Sequence, residues 1–309
     1  MRTLTVADAD DGARIDQWLA RALDCSRRDA QRLIADGAVR LDGGRAAKGA
    51  RVHGGASVRV DEEPPRDDDK RPLPELELPL VIVHVDDAIV AMVKPSGMAT
   101  HPLLPGERGT LANALVARYP ECAAVADDVR EGGVAHRLDS DTSGLVLAGR
   151  TRAAWLSLRR SFGDGAVSKE YLALVAGAPP DGGIVDVALA HAGKRVRAAV
   201  AGDAEAQPAT TRYRTLARGA GVALVEATSA SGRMHQIRAH LAHAGFPIVG
   251  DALYGGPAAA EGTSGHFLHA SAATFPHPTT GARTTLTAPL PQDRAAALRS
   301  LVGWPANRE

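Results

Sequence analysis

A run of acidic residues and prolines between positions 61 and 75 divides this chain into two parts. Six of the nine residues from 61 to 69 are acidic, and prolines stand at positions 64, 65, 72 and 74. Like charges repel one another and proline cannot join a regular element, so this stretch favours an extended linker. For a chain of 309 residues, we therefore predict a small domain over residues 1–60, a linker over 61–75 and a larger domain over 76–303.

The first sixty residues carry the pattern of two short helices followed by strands. Residues 14 to 23 place apolar side chains on one helical stripe, and Ser26 with Asp29 forms a capping-box start for a second helix, which Gly37 ends. That second helix presents a face of arginines to solvent. After it, two alternating runs flank an Asp-Gly-Gly turn and read as strands. The arginines of the exposed face are Arg27, Arg28 and Arg32.

This part of the chain resembles the S4 domain, a small α/β RNA-binding module, over residues 12 to 60. The resemblance implies that the arginine face of the second helix contacts RNA. Eleven basic residues stand against eight acidic ones in residues 1–60, although the net charge of the whole chain is zero. The alternative is a capped helical hairpin whose arginines are only solvated. We favour RNA contact because of the motifs that follow in the chain.

The larger part, residues 76–303, alternates short β-like runs with a few helical ones. This mixture predicts an α+β domain built on a mixed, mostly antiparallel sheet, without the βαβ regularity of a doubly wound fold. The stretch from 196 to 209 is rich in Ala and Gly and is predicted to be a flexible excursion. The predicted strands are 80–84, 88–93, 145–148, 171–176, 223–227 and 284–288, and the predicted helices are 111–119, 153–162 and 234–243.

Two segments of the larger domain look like parts of an active site. Residues 136–144 read His-Arg-Leu-Asp-Ser-Asp-Thr-Ser-Gly and place Asp139 ahead of a Gly-ended hydroxyl loop and an apolar strand. Residues 232–241 read Gly-Arg-Met-His-Gln-Ile-Arg-Ala-His-Leu. A carboxylate that must stay ionised in a partly dry site needs a nearby cation. We therefore take Asp139 as the candidate catalytic residue.

Arg238 is the candidate cation. On a helix that starts near Gly232, it falls only about forty degrees from Met234, which lies on the apolar stripe, so it is aimed at the edge of the core. An arginine there needs a partner, and a carboxylate that also needs one answers both requirements. The alternative is an arginine that reaches solvent from an ordinary amphipathic helix.

Both segments resemble the signatures of the RluA family of pseudouridine synthases, which isomerise uridine within RNA. The resemblance extends in order over residues 80 to about 292, with departures at Ser231 and Met234, where threonines are common in the family. Those departures put the fine shape of the start of the Arg238 helix in doubt. The further matching segments are Val85 to Gly97, Lys169 to Tyr171, Ala209 to Tyr213, Gly250 to Gly256 and Leu268 to Pro278.

The resemblance implies a catalytic domain with a central cleft and a role for each of five residues. Asp139 acts as nucleophile or base, and Arg238 is its ion partner. Tyr171 stacks on the target uracil and helps to move the C5 proton, and Ile237 packs beside the base. Arg137 enters the RNA stack when the target nucleotide is flipped out, since a ribose carbon inside stacked RNA cannot be reached. Without the resemblance, Tyr171 would be read as a half-buried strand aromatic.

The reaction itself calls for a carboxylate. Making pseudouridine breaks the bond between ribose C1′ and base N1, turns the base and joins C5 to C1′, with nothing oxidised or lost. A carboxylate can attack C1′, stabilise positive charge there, or remove a sugar proton to give a glycal. The sequence does not separate these routes.

Two other classes of protein stay open at this point. A non-catalytic RNA-binding or ribosome-associated factor would explain the first domain but not the presence of Asp139, Tyr171 and Arg238 together. A hydrolase acting on nucleosides or glycosides would need a second carboxylate, for which Asp141 is the near neighbour, although it is better read as a loop-capping residue.

Several sites and locations are not expected. Cys25 and Cys122 cannot form a disulfide framework or a four-cysteine zinc site, and we expect both to be reduced. His235 and His240 stand five apart, not the four that aligns two metal ligands on a helix, so we predict no metal and instead hydrogen bonds within the fold for His136 and His235. No glycine-rich phosphate loop is present, so no nucleotide cofactor is implied.

The expected partner is RNA, with ribosomal RNA favoured over transfer RNA. No apolar run is long enough to span a bilayer, and the N-terminus lacks the apolar segment of a signal peptide. We therefore expect a cytoplasmic monomer with no membrane partner.

Overall fold

The structure is a computed structural model that describes residues 1–64, 70–203 and 205–305. They form two compact units, Met1–Lys70 and Arg71–Glu309. Pro65, Asp67, Asp68 and Asp69 of the acidic stretch lie outside the described residues. Soon after that stretch the chain packs on the larger unit, where the carbonyl of Leu73 accepts a hydrogen bond of 2.7 Å from Asn113. None of the helices in the described ranges is both long and apolar enough to cross a membrane.

The smaller unit packs two helices on a four-stranded antiparallel sheet. The cap at Ser26 forms as predicted, because its hydroxyl accepts from the backbone N–H of Asp29, and Gly37 ends the helix at φ 81°. Ile15, Leu19 and Leu33 are buried between the helices and the sheet. The elements are β1 (Arg2–Thr5), α1 (Ile15–Ala22), α2 (Arg27–Asp36), β2 (Val39–Leu41), β3 (Gly44–Arg45) and β4 (Ser57–Val60), with the sheet order β1-β4-β2-β3.

The larger unit consists mainly of β-strands, and helices lie in a few of the connections between them and at the C-terminal end of the element order. Its elements are β5 (Val81–Val85), β6 (Ile89–Lys94), α3 (Leu111–Arg118), β7 (Ser143–Gly149), α4 (Arg152–Gly163), β8 (Ser168–Ala176), β9 (Gly182–Asp186), β10 (Leu189–Ala192), β11 (Arg195–Ala198), β12 (Thr210–Arg218), β13 (Val222–Ser229), α5 (Gln236–His243), β14 (Leu268–Pro276), β15 (Arg283–Thr287) and α6 (Gln292–Val302).

One large sheet runs through this unit in the order β5-β6-β7-β14-β8-β13-β12-β9, with β15 paired to β14. Among the strand pairs that the structure describes, only β7–β14 is parallel, and it is short, joining Ser143 to His269 and Gly144 to Ala270. The predicted α+β fold with a mixed, mostly antiparallel sheet is therefore confirmed. Helix α4 packs on one part of the sheet through Trp155 and Leu158, and α5 and α6 pack on another through Leu241 and Leu298.

The parallel contact fixes the start of β7, which follows directly after the segment that contains Asp139. Gly144 has φ 119°, and a Cβ there would stand 2.2 Å from the carbonyl oxygen of Ala270. Only glycine permits this backbone approach. The sheet thus holds the C-terminal end of the Asp139 segment by direct strand pairing.

Three sequence-based expectations for this unit need correction. The stretch from 196 to 209 is not wholly a flexible excursion, since Arg195–Ala198 pairs with Leu189–Ala192 and Val196 is buried. Helix α5 begins at Gln236 rather than Met234, because His235 has φ 52° and cannot continue a helix backwards. The predicted strands and helices also omitted β9, β10, β11, β12, β14 and α6.

Candidate active site

The segment that carries Asp139 is a loop held on both sides by side chains from elsewhere in the fold. The hydroxyl of Thr100 donates to the Leu138 carbonyl at 2.9 Å and accepts from the Leu138 N–H at 3.1 Å. On the other side of Asp139, the Ser96 hydroxyl donates to the Asp141 carbonyl at 2.8 Å. The loop backbone is therefore fixed before any substrate arrives.

Lys94 supports the same loop from beneath. Its ammonium is fully buried and donates its three N–H groups to the carbonyls of Pro95, Met98 and Ser140, at 2.9, 2.6 and 2.7 Å. Burial lowers the pKa of Lys94 to about 7, and the charges of Asp139 and Asp141 oppose that change. An ammonium in this position joins β6 to the loop and places positive charge close to the carboxylate of Asp139.

A second buried cation reaches the loop from the C-terminal helix. Arg294 of α6 donates to the Asp141 carbonyl at 2.9 Å, to the Ser96 hydroxyl at 3.0 Å and to carbonyls of the β14 entry. Burial lowers its pKa to about 10. Within the described residues its Nε has no hydrogen-bond partner. The α6 helix, which the sequence analysis did not predict, therefore helps to hold the loop.

Asp139 and Arg238 form the predicted ion pair. Nη1 of Arg238 donates to Oδ2 of Asp139 at 2.7 Å, and the two side chains are 8% and 26% exposed. The other side of the same guanidinium binds Asp251 through Nε and Nη2, at 2.7 and 2.8 Å. Burial opposes the charge of Arg238, but the hydrogen bonds to Asp251 and Asp139 outweigh it and raise the pKa of Arg238. One buried arginine is thus shared by two carboxylates.

Asp251 is the site residue that the sequence analysis missed. It is 1% exposed, and its two oxygens accept the parallel pair of hydrogen bonds from Arg238. The signal lay in the Gly250-Asp251 segment, which was noted only as part of the resemblance. A buried guanidinium has five donors, so one half-exposed carboxylate could not have satisfied it.

The five residues predicted for the larger domain line one cleft of about 1050 Å³. Ile237 is buried, while Arg137 is exposed. Burial raises the pKa of the Tyr171 hydroxyl and the nearby charge of Asp139 adds to this effect, so the phenol stays neutral. The cleft therefore brings the carboxylate of Asp139, the ring of Tyr171 and the apolar side chain of Ile237 together on its lining. The residues concerned are Arg137, Asp139, Tyr171, Ile237 and Arg238.

Positive charge concentrates along the same cleft although the chain is neutral overall. Lys169 reaches the Ser231 carbonyl at 2.7 Å, and its pKa is lowered to about 8 by burial and by Arg233. Such a lining suits a polyanion. The basic residues of the cleft besides Arg137 and Arg238 are Arg159, Lys169, Arg212 and Arg233.

The two histidines that were expected to bond within the fold do so. Nε2 of His136 accepts from the backbone N–H of Leu147 at 3.0 Å, and Nδ1 of His235 lies 3.1 Å from the Tyr254 hydroxyl. His235 also belongs to the site, since its Nε2 lies 3.7 Å from Oδ2 of Asp139. Throughout residues 1–64, 70–203 and 205–305, no group of three or more His, Cys, Asp or Glu side chains is placed to hold a metal.

The three arginines predicted for RNA contact differ in their surroundings within the smaller unit. Arg28 is exposed, Arg32 is half-buried and Arg27 donates through Nε to Oδ2 of Asp16 at 2.9 Å. Asp16 is itself buried and also accepts from Arg14 and Gln31. The hydrogen bond from Arg14, followed by those from Gln31 and Arg27, lowers the pKa of Asp16. The charge of Arg27 is thus partly neutralised by Asp16, and Arg28 is more exposed than Arg32.

Comparisons with known proteins agree with this geometry. Residues 88–243 match the family described as RNA pseudouridylate synthase, and residues 13–58 match the S4 domain. A protein of Chloroflexus aurantiacus named as an uncharacterized RNA pseudouridine synthase is 40% identical over 302 residues, which cover 97% of this chain and 93% of that protein.

Two further proteins extend the comparison. The ribosomal large subunit pseudouridine synthase D of Yersinia pestis is 35% identical over 312 residues, covering 96% of this chain and 93% of that protein. Among solved structures, human RNA pseudouridylate synthase domain containing 4 superposes with a TM-score of 0.57 at 23% identity, covering 73% of this chain and 94% of that chain. The last of these shows a shared fold.

Proposed function

The chain belongs to the RNA pseudouridylate synthase family, and we propose that it isomerises specific uridines of large-subunit ribosomal RNA with Asp139 as the catalytic carboxylate. The observation that carries the catalytic assignment is the 2.7 Å pair between Asp139 and the buried Arg238 on the wall of the cleft. The substrate class rests on the Yersinia relative, whose name specifies the large ribosomal subunit and whose length this chain nearly spans.

The geometry leaves one oxygen of Asp139 for the substrate. Arg238 and His235 both approach Oδ2. Oδ1 accepts no hydrogen bond from the residues that the structure describes. The ion pair with Arg238 fixes the position of Oδ2, and Oδ1 can act on the ribose. It either forms a bond to C1′ as the bond from C1′ to N1 breaks, or it removes a sugar proton as the base leaves. When C5 then bonds to C1′, the bond from C1′ to Asp139 breaks in the first route, and the sugar proton returns to the ribose in the second. In both routes the C5 proton is lost and N1 gains a proton, so that nothing is added.

Tyr171 and Ile237 hold the base in this proposal. The raised pKa keeps the Tyr171 hydroxyl protonated, so it does not act as a base in this state. We assign Tyr171 to stacking on the uracil and to hydrogen bonding through its hydroxyl. Ile237 supplies an apolar wall at the buried side of the cleft. Arg137, exposed at the same cleft, fills the place of the nucleotide that is flipped out.

Each of the two alternative classes that the sequence left open has an argument against it. A glycoside hydrolase would need a second carboxylate at the reaction centre. The side chain of Asp141 is 46% exposed and faces His266 at 3.9 Å, in a smaller pocket beside the cleft, and Asp164, which does line the cleft, is exposed just after the end of α4. A non-catalytic RNA-binding factor would have no use for an ionised carboxylate that is held in place from three elements. We also propose a monomer that acts in the cytoplasm, with Arg27, Arg28 and Arg32 as RNA contacts of the S4 domain.

The test is pseudouridine mapping by carbodiimide labelling of total RNA from cells with and without the gene. The proposal expects at least one site in large-subunit ribosomal RNA to disappear and to return with the wild-type protein but not with Asp139→Asn. A lost site in transfer RNA would instead move the substrate to that class. Release of free uracil from RNA would identify a hydrolase, and no change in any RNA would favour the RNA-binding factor.

A further inference from the structure

His235 has a left-handed backbone conformation, which is strained for most residues that carry a side chain. It has φ 52° at the start of α5, one of three non-glycine residues with positive φ among those described. Glycine adopts this left-handed conformation without strain, and a side chain there is uncommon outside functional positions. The imidazole of His235 projects between Tyr254 and Asp139, so its contacts indicate what the side chain does.

The hydrogen bonds of Tyr254 fix which ring nitrogen of His235 carries the proton. The backbone N–H of Val196 donates to the Tyr254 hydroxyl oxygen at 3.0 Å. The hydroxyl proton then needs an acceptor, and Nδ1 of His235, at 3.1 Å, is the acceptor that the described residues provide. A neutral imidazole has one donor and one acceptor nitrogen. If Nδ1 accepts, the proton is on Nε2.

Nε2 of His235 is the nitrogen that faces the catalytic carboxylate. It lies 3.7 Å from Oδ2 of Asp139, the same oxygen that Arg238 binds at 2.7 Å. This distance is longer than a hydrogen bond, but a protonated Nε2 attracts that oxygen, whereas an unprotonated one would turn a lone pair towards it. Burial lowers the pKa of His235, which favours the neutral ring.

Tyr254 supports both neighbours of Oδ2. Its hydroxyl meets His235, and the guanidinium carbon of Arg238 lies 5.2 Å from the centre of its ring. The Tyr254 residue ends the short 3₁₀ turn that follows Asp251, the other partner of Arg238. One short turn therefore orients both groups that hold Oδ2.

We propose that His235, fixed by Tyr254 with its proton on Nε2, is a positioning residue of the reaction that directs Oδ2 of Asp139 inward and so presents Oδ1 to the ribose. This role rests on the proposed function. It does not require His235 to touch the substrate or to change its protonation during the reaction. Without the Tyr254 hydroxyl, the ring of His235 can carry its proton on Nδ1 instead. His235 then no longer orients Oδ2 of Asp139.

The test compares three variants of the full-length protein with the wild type. Tyr254→Phe removes the hydroxyl but keeps the aromatic face over Arg238. His235→Asn removes the imidazole while remaining compatible with positive φ. Tyr119→Phe is the matched control, since it removes a phenol hydroxyl from a residue that lines neither the cleft nor the Asp139 loop.

Two readouts are needed. The first is nitrogen NMR of the histidine rings, in which the signals missing from His235→Asn identify His235. The second is the single-turnover rate of pseudouridine formation on a ribosomal RNA fragment that contains the mapped site, with RNA affinity measured in parallel. We expect Nδ1 of His235 to be unprotonated in the wild type, and Tyr254→Phe to lose this preference.

We expect Tyr254→Phe and His235→Asn to slow the single-turnover rate by about tenfold, the order of one orienting hydrogen bond, with RNA affinity unchanged. Tyr119→Phe keeps the wild-type rate. A proton on Nδ1 in the wild type, or a Tyr254→Phe variant with the wild-type rate, overturns the positioning role. A wild-type protein that converts no uridine overturns the proposed function instead, so the two failures are distinguishable.

Discussion

Arg238 holds Asp251 with two parallel hydrogen bonds of 2.7 and 2.8 Å and gives Asp139 only one. The stronger, two-point contact is thus to the carboxylate that is buried and does not line the cleft. Asp251 fixes the plane of the guanidinium, and the remaining donor is aimed at Asp139 as a consequence. Asp139 is thus held by a cation that is already oriented, and its Oδ1 stays available for the step that we propose.

Replacing Asp139 by Asn is expected to abolish pseudouridine formation and to leave RNA binding and folding intact. The amide is nearly the same size but is neither a nucleophile nor a base, and Arg238 keeps its pair with Asp251. The measurement is product formation on ribosomal RNA together with filter binding of the same RNA. Turnover by Asp139→Asn would remove this residue from the catalytic role.

Replacing Asp251 by Asn is expected to lower both stability and activity. It leaves a buried guanidinium with one carboxylate in place of two, and breaking a buried pair of this kind costs about 3 kcal/mol. Urea unfolding measures the loss, and the single-turnover rate measures the effect on Asp139. Asp181→Asn is the matched control, because Asp181 pairs with Arg218 at a fully exposed position, and it should unfold at the wild-type urea concentration. Equal midpoints for the two variants would contradict the role given to Asp251.

The residues that could be predicted from the sequence act through their side chains and lie within short motifs. Asp139 and Arg238 each stand in a contiguous segment, and a carboxylate and an arginine that both need a partner are readily matched. The cap at Ser26 was predictable for the same reason, since it involves residues three apart. Local spacing and the chemistry of side chains are sufficient in these cases.

Lys94 and Arg294 could not be assigned in this way. Their partners in the Asp139 loop are the backbone carbonyls of Ser140 and Asp141, and every residue has a carbonyl, so no sequence pattern marks them. Asp251 has a side-chain partner, but whether a carboxylate lies beside Asp139 or behind its arginine depends on how α5 packs. The start of α5 was misplaced because the positive φ of His235 follows from its contacts with Tyr254 and not from its residue type.

A methyl group at Gly144 is expected to disrupt the junction between β7 and β14. The Cβ of Gly144→Ala would stand 2.2 Å from the Ala270 carbonyl oxygen, and φ 119° is strained for alanine. We expect destabilisation of at least about 3 kcal/mol and loss of activity, since Gly144 follows the Asp139 loop. Gly163→Ala is the control, because its Cβ would meet nothing within 4 Å and alanine suits a helix. Urea unfolding measures the stability of both variants. Equal stabilities would contradict the close approach of Gly144 to the Ala270 carbonyl oxygen.

The buried histidines are expected to make the protein less stable as pH falls from about 6.5 towards 4. Burial lowers the pKa of His266 to about 4, with the charge of Arg238 as a further cause, and burial likewise lowers the pKa of His269 to about 4. In this window the unfolded chain binds protons that the folded chain does not, so the free energy of unfolding decreases as pH decreases.

One such histidine contributes a slope of up to about 1.4 kcal/mol per pH unit. His266→Gln should therefore show a shallower dependence than the wild type when urea unfolding is measured between pH 7 and pH 5, although it loses the hydrogen bond to Thr142 at every pH. If the two slopes are identical, His266 takes up no additional proton on unfolding.

Arg28 is expected to contribute one phosphate contact to RNA binding. It lies on the exposed face of α2 and forms no hydrogen bond or ion pair with the residues that the structure describes, whereas Arg27 on the same helix pairs with Asp16. A charge that neutralises one phosphate of single-stranded RNA changes the slope of log affinity against log salt by about 0.7, and one on a duplex by about 0.9. Arg28→Ala should reduce the slope by this amount and leave the turnover of bound RNA unchanged, because Asp139 and its partners lie in the other unit.

Arg218→Ala, which removes an arginine already paired with Asp181, should keep the wild-type slope. A salt dependence in Arg28→Ala equal to that of the wild type would mean that this face of the S4 domain does not meet the RNA backbone, and the basic lining of the cleft would then account for the binding.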